Sequence, residues 1–449
     1  MKDSKVVTRF APSPTGYLHI GGVRSALFSY LFARQNGGKF LLRIEDTDKK
    51  RNKKEYEEDI IKGFKLVGIN WDNDPVYRQS DNLPLYRKLI EKLVNEGIAY
   101  ISKETVLEEG QKDEVIRFKN PNKDVIFNDL IHGEVKVNTS DLGDFVIARS
   151  FDEPIFHFAN VVDDDAMGVT HVIRGEEHLA NTPRQILIRE ALGLKGLSYA
   201  HIPLVLASDR SKLSKRQGSV ALREFLERGY LPEAIINYLA LLGWHPQDNQ
   251  EIFSLEELVN VFDLKRVQKA GAIWSEEKLD WVNKEHLKRI DSKERQEIYD
   301  NWLSKNNISG YKKDLISKIE PIITERINKF GDIDIMVAND DLQFFFAQPN
   351  FQKENLIWKG KGDLNSVLKN LNGILEIISS MNDANFSAED IKKVVWPFAE
   401  SNGRGEVLWP FRYLLSGKEK SPDPFTIASV LGKNETIKRI EFAVKLING

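Results

Sequence analysis

Val6-Val7-Thr8-Arg9-Phe10-Ala11-Pro12-Ser13-Pro14-Thr15-Gly16-Tyr17-Leu18-His19-Ile20-Gly21-Gly22 opens the chain's first regular structure. Val6 to Phe10 reads as a short β-rich strand, and the two prolines and Gly16 cannot continue its ladder. Beyond Gly22 the period changes. Val23, Ala26, Leu27, Tyr30 and Leu31 fall on one face of a helix, and Gly37-Gly38 suits a left-handed stop. Lys39 to Glu45 follows as a second strand, with Phe40, Leu41, Leu42 and Ile44 buried on both faces. Strand, glycine-containing loop, helix and strand make a βαβ unit, which predicts a parallel sheet and an α/β fold.

Outward from this unit, residues Tyr86 to Phe145 are less regular. Glu104 to Asp113 reads as a charged, solvated stretch. Val115 to Arg149 carries short β-rich runs separated by Asn, Gly and Asp, the pattern of an inserted α/β piece. The parallel sheet is expected to resume near Val161 and Val172-Ile173, followed by a helix from Pro183 to Ala191. His201 to Leu206 is another apolar run, entering a charged loop at Ser208 to Gln217. After Val220 the pattern is helical: Pro232 to Leu242, Leu315 to Ile327 with a break or kink expected at Pro321, Leu364 to Met381, Ala388 to Phe398, and Glu435 to Ile447. No repeat with a period of about 20 to 50 residues is visible. The reading is an α/β half followed by an all-helical half.

The 449 residues are too many for one core, and domains of about 100 to 200 residues imply several units. Hydrophobic residues at 41% and charged residues at 29% are an ordinary globular balance. No apolar run approaches the roughly 20 residues that cross a bilayer, and the N-terminus lacks a signal-peptide core. No membrane association and a cytoplasmic location are therefore expected. Cysteine is absent, which excludes disulfides and any metal site built on protein cysteines. A net charge of −3 excludes a uniformly basic nucleic-acid binder, so any RNA contact must use local patches or shape.

Two motifs carry chemistry. The loop from Pro12 to Gly22 leaves a strand and opens a helix, whose N-terminal N–H groups attract phosphate. Gly21 and Gly22 let a ligand approach the backbone, and His19 can donate a hydrogen bond to a phosphate oxygen. The usual nucleotide fingerprints are missing, and a lone His-x-Gly-Gly could equally just start a helix. The second motif, Lys212-Leu213-Ser214-Lys215-Arg216, holds three cations and a hydroxyl, with turn chemistry at Ser208 and Asp209. A cationic loop of this kind can close over a polyphosphate and stabilise the charge that develops as pyrophosphate leaves. Alone, it could equally be a solvated basic loop.

Together the two motifs resemble the two-part signature of class I aminoacyl-tRNA synthetases. Arg9 to Gly22 resembles the start of the glutamyl-tRNA synthetases. So do Leu42-Arg43-Ile44-Glu45-Asp46-Thr47-Asp48, Val161-Val162-Asp163-Asp164, Val172-Ile173-Arg174-Gly175-Glu176-Glu177-His178 and Asn237 to Trp244. The likeness runs from Arg9 to Arg439-Ile440-Glu441. It implies an N-terminal Rossmann-like catalytic domain (1–80 and 146–208) with an inserted acceptor-end-binding α/β domain (81–145). A helical stem-contact domain (209–300) carrying the Lys-Leu-Ser-Lys-Arg loop and a helical anticodon-binding region (301–449) would follow.

The implied reaction activates L-glutamate with ATP and Mg²⁺ to glutamyl adenylate, then transfers it to the terminal adenosine of tRNA-Glu. Catalysis would be mainly positioning and charge stabilisation. The resemblance assigns Arg9, Ser13, Glu45, Phe156, Asn160 and Arg174 to glutamate. Arg174 would take a carboxylate through its planar fork. Pro12, His19, Gly21, Gly22, Leu204, Val205, Lys212, Ser214 and Lys215 would bind ATP, with His19, Lys212 and Lys215 as the catalytic set. Arg404, Trp409 and Arg412 are candidate anticodon contacts, although Trp409 equally suits a core position.

Three features depart from the family. Phe156 stands where relatives usually carry a tyrosine. The stretch at Tyr100-Ile101-Ser102-Lys103 is short and cysteine-free, so no zinc is expected. Ser150-Phe151-Asp152-Glu153-Pro154 replaces a more glycine-containing turn beside the pocket. These features fit a diverged second copy of a bacterial-type enzyme. The alternatives are charging of tRNA-Gln with glutamate, a glutamine–tRNA ligase, a shorter relative that glutamylates a modified tRNA base, and a non-catalytic RNA-binding paralogue. Arg174 favours an acidic substrate, the long helical half disfavours the shorter relative, and Lys212 and Lys215 disfavour the paralogue. A monomer is the family expectation.

Overall fold

The computed structural model describes residues 5–48, 50–104, 113–213, 220–306 and 308–449. The chain divides into two compact units, Met1–His286 and Leu287–Gly449.

In the first unit, β1 (Val7–Phe10), α1 (Ile20–Gln35) and β2 (Lys39–Ile44) form the expected βαβ unit. β1 and β2 run parallel, with Val7 opposite Lys39 and Phe10 opposite Leu42. The turn between α1 and β2 needs both glycines. Gly37 sits at φ +59°, and a Cβ on Gly38 would lie 2.1 Å from the Val6 carbonyl oxygen. After α2 (Lys54–Leu66), β3 (Tyr77–Arg78) extends this sheet in parallel beside β2. Ile20, Val23, Leu27 and Leu31 of α1 pack with Phe40 and Leu42 into the main core, which continues through Ile235, Leu239 and Trp244.

Between Leu83 and Pro154 lies α3 (Leu83–Asn95), then β4 (Ala99–Lys103), β5 (Glu114–Phe118), β6 (Asp124–Asp129), β7 (Gly133–Asn138), β8 (Phe145–Ser150) and β9 (Glu153–Pro154). Leu83 to Asn95 is thus more regular than the sequence pattern suggested, with Tyr86, Ile90 and Leu93 buried on one face. Strands β4, β5, β8 and β9 make one antiparallel sheet.

The parallel sheet does not resume at Val161. That residue lies in α4 (Phe156–Ala166), where Phe158, Ala159, Val161 and Val162 are buried. Val161-Val162 is a β-branched pair that suits a strand, but in the helix Asn160, Asp163 and Asp164 are buried alongside it, so the polar residues do not mark a solvent-facing stripe. The sheet resumes at β10 (His171–Gly175) and, after α5 (Thr182–Leu192), at β11 (Ser198–Ile202), paired in parallel. Thr170 N donates to Val7 O at 2.9 Å and joins β10 to β1. β6 pairs with the far side of β11 at Tyr199 and Asp129, and β7 pairs antiparallel beyond it, so two strands of the Leu83–Pro154 segment extend this sheet.

The second unit is helical among its described residues. Its helices include Ser292–Leu303, Ile316–Arg326, Leu364–Ser380, Ala388–Asn402, Arg404–Ser416, Pro424–Leu431 and Lys433–Asn448. Ile316–Arg326 runs through Pro321 without a break, because Ile319 and Ile323 on its inner face are fully buried and packing holds it. Ala388–Asn402 likewise continues past Phe398, through Pro397. Arg439 is buried and donates to the carbonyls of Phe344 (2.8 Å), Leu415 (2.7 Å) and Ala347 (3.1 Å), tying three segments together. No helix among the described residues is long and apolar enough to cross a membrane.

Candidate active site

Residues at the C-terminal ends of β1 and β2 meet α4 in a buried charged cluster. Arg9 Nε donates to Asp164 Oδ1 at 3.0 Å, and Arg43 Nη1 donates to the same oxygen at 2.7 Å. Arg43 Nη2 donates to Glu45 Oε1 at 3.1 Å, which also accepts from Asn160 Nδ2 at 3.0 Å. Gln185 Nε2 in turn donates to Asn160 Oδ1 at 3.2 Å, fixing the orientation of that amide. Asp163, adjacent to Asp164 in α4, accepts from Tyr77 OH (2.9 Å), Tyr86 OH (2.6 Å) and Gln79 Nε2 (2.6 Å). The sequence-predicted Arg9, Glu45 and Asn160 are therefore joined in one network.

The electrostatics follow from burial. Burial works against the charge of Asp164, but Arg9 and Arg43 outweigh it and hold the carboxyl down at about 2. Burial also disfavours the Arg43 charge, and Asp164, Glu45 and Asp163 more than offset this. Glu45 and Asp163 are both raised above the ordinary carboxylate range by burial.

Arg174, on β10, sits apart from the carboxylates. Its Nη2 donates to Thr182 Oγ1 at 2.8 Å and its Nε to His201 Nε2 at 3.3 Å. Among the described residues its buried Nη1 has no hydrogen-bond partner. Burial, and then the like charge of Arg9, push this guanidinium down to about 10. A buried cation with an unused donor is incomplete without an anion. Phe156 begins α4, is 36% exposed, and lies 5.6 Å from the His178 ring. Asp152, in the turn before it, pairs with Arg87 on α3. Ser13 is exposed on its loop.

The nucleotide motif is built on the start of α1. His19 caps the helix, and its Nδ1 accepts from Gly21 N at 2.9 Å. An accepting Nδ1 places the ring proton on Nε2. The glycines also have a packing reason: a Cβ on Gly21 would lie 3.2 Å from His19 Nδ1, and one on Gly22 would lie 3.3 Å from Phe10 Cζ. Pro12 O accepts from Glu45 N at 2.9 Å, so the loop is tied to the end of β2. Leu204 N donates to Glu176 Oε1 at 2.8 Å, and Leu204 O accepts from Ala272 N at 3.0 Å. Contact between adenine and the Leu204 backbone would have to share or displace these bonds. Val205 O accepts from Leu213 N at 3.1 Å, closing a hairpin whose turn is held by Asp209 Oδ1 on Ser211 N at 2.9 Å. Lys212 is exposed on that hairpin, bridged to Leu206. Ser214, Lys215 and Arg216 lie outside the described residues.

Sequence reasoning assigned no role to Arg43, Asp163 and Asp164, which hold the cluster together, nor to Arg24, Asp129 and His201. The signal was a charge inside an apolar run: Arg43 within Phe40 to Ile44, and Asp163-Asp164 directly after Phe158 to Val162. Arg24 is buried in α1 and donates from Nη1 to Pro203 O at 2.6 Å. In the second unit, Trp409 Nε1 donates to Asn355 O at 2.9 Å, Arg412 lies over the Trp409 ring at 5.1 Å, and Arg404 lies over Trp396 at 4.9 Å. Among the described residues no group of three or more His, Asp or Glu is placed to hold a metal ion.

The profile described as "tRNA synthetases class I (E and Q), catalytic domain" matches residues 5–112 and 103–281, and "Anticodon binding domain" matches residues 284–444. The chain is 40% identical to Glutamate--tRNA ligase 2 of Thermoanaerobacter pseudethanolicus, covering 99% of each sequence. It is 40% identical to Glutamate--tRNA ligase of Aquifex aeolicus, covering 97% of this chain and 98% of the relative. Among solved structures, a glutamate tRNA ligase from Elizabethkingia meningosepticum in complex with its amino acid superposes with a TM-score of 0.87 at 35% identity, over 98% of this chain and 99% of the other. The glutamate-tRNA synthetase of Elizabethkingia anophelis superposes with a TM-score of 0.86 at 35% identity, over 98% and 100%. With both profiles spanning nearly its full length and close relatives over its whole extent, the chain belongs to the class I tRNA synthetases of the glutamate and glutamine group.

Proposed function

We propose that this chain is a glutamate–tRNA ligase, activating L-glutamate with ATP and transferring it to tRNA-Glu. The carrying observation is the buried Arg174, whose Nη1 has no hydrogen-bond partner among the described residues, close enough to Arg9 for the two charges to interact. A neutral amide would leave that cation uncompensated, whereas a glutamate side-chain carboxylate satisfies it. Arg9 takes the α-carboxylate, and Glu45, with Asn160 and Ser13, faces the ammonium group. Phe156 closes the pocket edge without contributing a hydroxyl.

ATP lies at the start of α1. Gly21 and Gly22 admit its phosphates to the helix N-terminus, the His19 Nε2 proton donates to a phosphate oxygen, and Leu204 and Val205 flank the adenine. Lys212 and Lys215 neutralise the departing pyrophosphate and the Ser214 hydroxyl donates a hydrogen bond to it. Mg²⁺ enters on the ATP phosphates. The bound glutamate carboxylate attacks the α-phosphate and displaces pyrophosphate, and a terminal adenosine hydroxyl of the tRNA then attacks the adenylate carbonyl and displaces AMP. Residues 1–80 and 146–208 form the catalytic domain, 81–145 receive the acceptor end, 209–300 follow the stem, and 301–449 read the anticodon. The enzyme acts as a monomer in the cytoplasm.

The test is ATP–pyrophosphate exchange with tRNA present. Exchange that depends on glutamate and not on glutamine is expected. Absence of exchange with either amino acid would overturn the enzyme reading.

A further inference from the structure

Asp129 and His201 form a fully buried pair on adjacent strands β6 and β11, and neither belongs to the substrate set above. Asp129 Oδ1 accepts from Ile131 N and His132 N, both at 2.9 Å. Its Oδ2 accepts from His201 N at 3.1 Å and lies 2.7 Å from His201 Nδ1. A carboxylate already receiving three N–H groups can only accept, so the His201 proton sits on Nδ1. The other ring nitrogen, Nε2, is then an acceptor. It faces Arg174 Nε at 3.3 Å and Thr182 Oγ1 at 2.9 Å. Thr182 Oγ1 itself accepts from Arg174 Nη2 at 2.8 Å.

We propose that Asp129 and His201 are positioning residues for Arg174: by fixing the imidazole tautomer they pin the Nε–Nη2 edge of the guanidinium and leave Nη1 for the substrate carboxylate. The opposite tautomer would set an N–H against an N–H and turn the guanidinium away. Burial keeps His201 in its neutral form, lowering its pKa against the pull of Asp129. His132 Nε2 lies 3.0 Å from the His201 carbonyl oxygen, and the Tyr199 and Phe127 rings pack against the His201 imidazole. Asp129 reaches this position from β6, outside the β1–β2 and β10–β11 strands that carry the other pocket residues. The geometry of the turn at Asp129 to His132 thereby sets how glutamate is recognised. The inference rests on Arg174 binding the substrate carboxylate.

The test compares His201→Phe, which keeps a ring and loses the acceptor, with His201→Gln, whose amide oxygen can accept from Arg174. Arg174→Gln is the reference. Glutamate and ATP dependence of aminoacylation are measured for each. Loss of a hydrogen bond to a charged group predicts a KM for glutamate raised about tenfold or more in His201→Phe. The KM for ATP should stay within about twofold and His201→Gln close to the parent. Thr182→Val removes the second contact of the same guanidinium and should also raise the KM for glutamate alone, which keeps the test open if His201→Phe does not fold. Equal defects in His201→Phe and His201→Gln, or parallel loss of glutamate and ATP affinity, would reduce His201 to core packing and overturn the proposal. If Arg174→Gln raises the KM for glutamate while His201→Phe and Thr182→Val do not, the positioning role fails and the Arg174 assignment stands. If Arg174→Gln changes nothing, the assignment itself fails, and the positioning role with it.

Discussion

Replacing Asp164 by asparagine tests whether the pocket is held by charge or by shape. Both arginine contacts, Arg9 Nε at 3.0 Å and Arg43 Nη1 at 2.7 Å, fall on one oxygen, Oδ1. An asparagine placed the same way keeps both hydrogen bonds and loses only the charge. Arg43 would keep Glu45 and Asp163 as counter-charges, while Arg9 would lose the carboxylate it pairs with. The magnitude can be approached twice. The Asp164 carboxyl is held at about 2 against an ordinary 3.8. At about 1.4 kcal/mol for each tenfold change in proton affinity, losing the charge costs roughly 2 kcal/mol. Removing one partner of a buried pair costs about 3 to 5 kcal/mol, and the retained hydrogen bonds pull that figure down. A loss of about 2 to 3 kcal/mol is expected. Asp164→Ala, which loses the bonds too, should cost more. Urea unfolding of both variants at neutral pH reads this directly. The KM for glutamate should rise with Asp164→Asn, because the hydrogen bond left to Arg9 is no longer charge-assisted and holds it more weakly. A midpoint and KM unchanged from the parent would show that the cluster is screened and refute the charge-based account. Asp164 also contributes stability that is present above an ordinary 3.8 and lost as pH falls through about 2.

Other outcomes follow from the same geometry. Phe156→Tyr adds a hydroxyl at a position 36% exposed. One hydrogen bond worth about 0.5 to 1.5 kcal/mol should lower the KM for glutamate about 2- to 13-fold, and an unchanged value would place Phe156 outside the pocket. Gly21→Ala brings a Cβ to 3.2 Å from His19 Nδ1 and should displace the imidazole. Losing the His19 hydrogen bond to a charged phosphate should slow activation about tenfold or more while glutamate binding, measured calorimetrically, persists; loss of both would indicate misfolding. Burial and nearby arginines push both His157 and His178 from an ordinary 6.5 down to about 4. Between those values the unfolded chain binds more protons than the folded one, so stability falls as pH drops from about 6.5 to about 4. The urea midpoint should decline across that window and decline less in a His157→Asn, His178→Asn double variant; identical slopes would contradict this.

The βαβ start was legible because its signals are local: a proline-broken strand, a helical face from Val23 to Leu31, and a double glycine whose second member lies against Val6 O. The aminoacyl-tRNA synthetase family was legible from motif pairs far apart in sequence. Val161 reads as strand because the polar residues of its helix, Asn160, Asp163 and Asp164, are themselves buried and do not mark a solvent-facing stripe. Asp129, His201 and Arg24 were passed over for a different reason. Their significance lies in partners 72 residues away for Asp129 and His201, and 179 residues away for Arg24 and Pro203. No local pattern encodes those pairings. Arg43 was the missed opportunity, since a lone charge inside Phe40 to Ile44 already asks for buried counter-charges.

The most direct measurement is aminoacylation of purified tRNA-Glu and tRNA-Gln with labelled glutamate and labelled glutamine. Acid-precipitable glutamate is expected on tRNA-Glu, with no glutamine on either tRNA and loss of the glutamate preference in Arg174→Gln. Glutamine esterified as readily as glutamate, or a preference unaltered by Arg174→Gln, would contradict this.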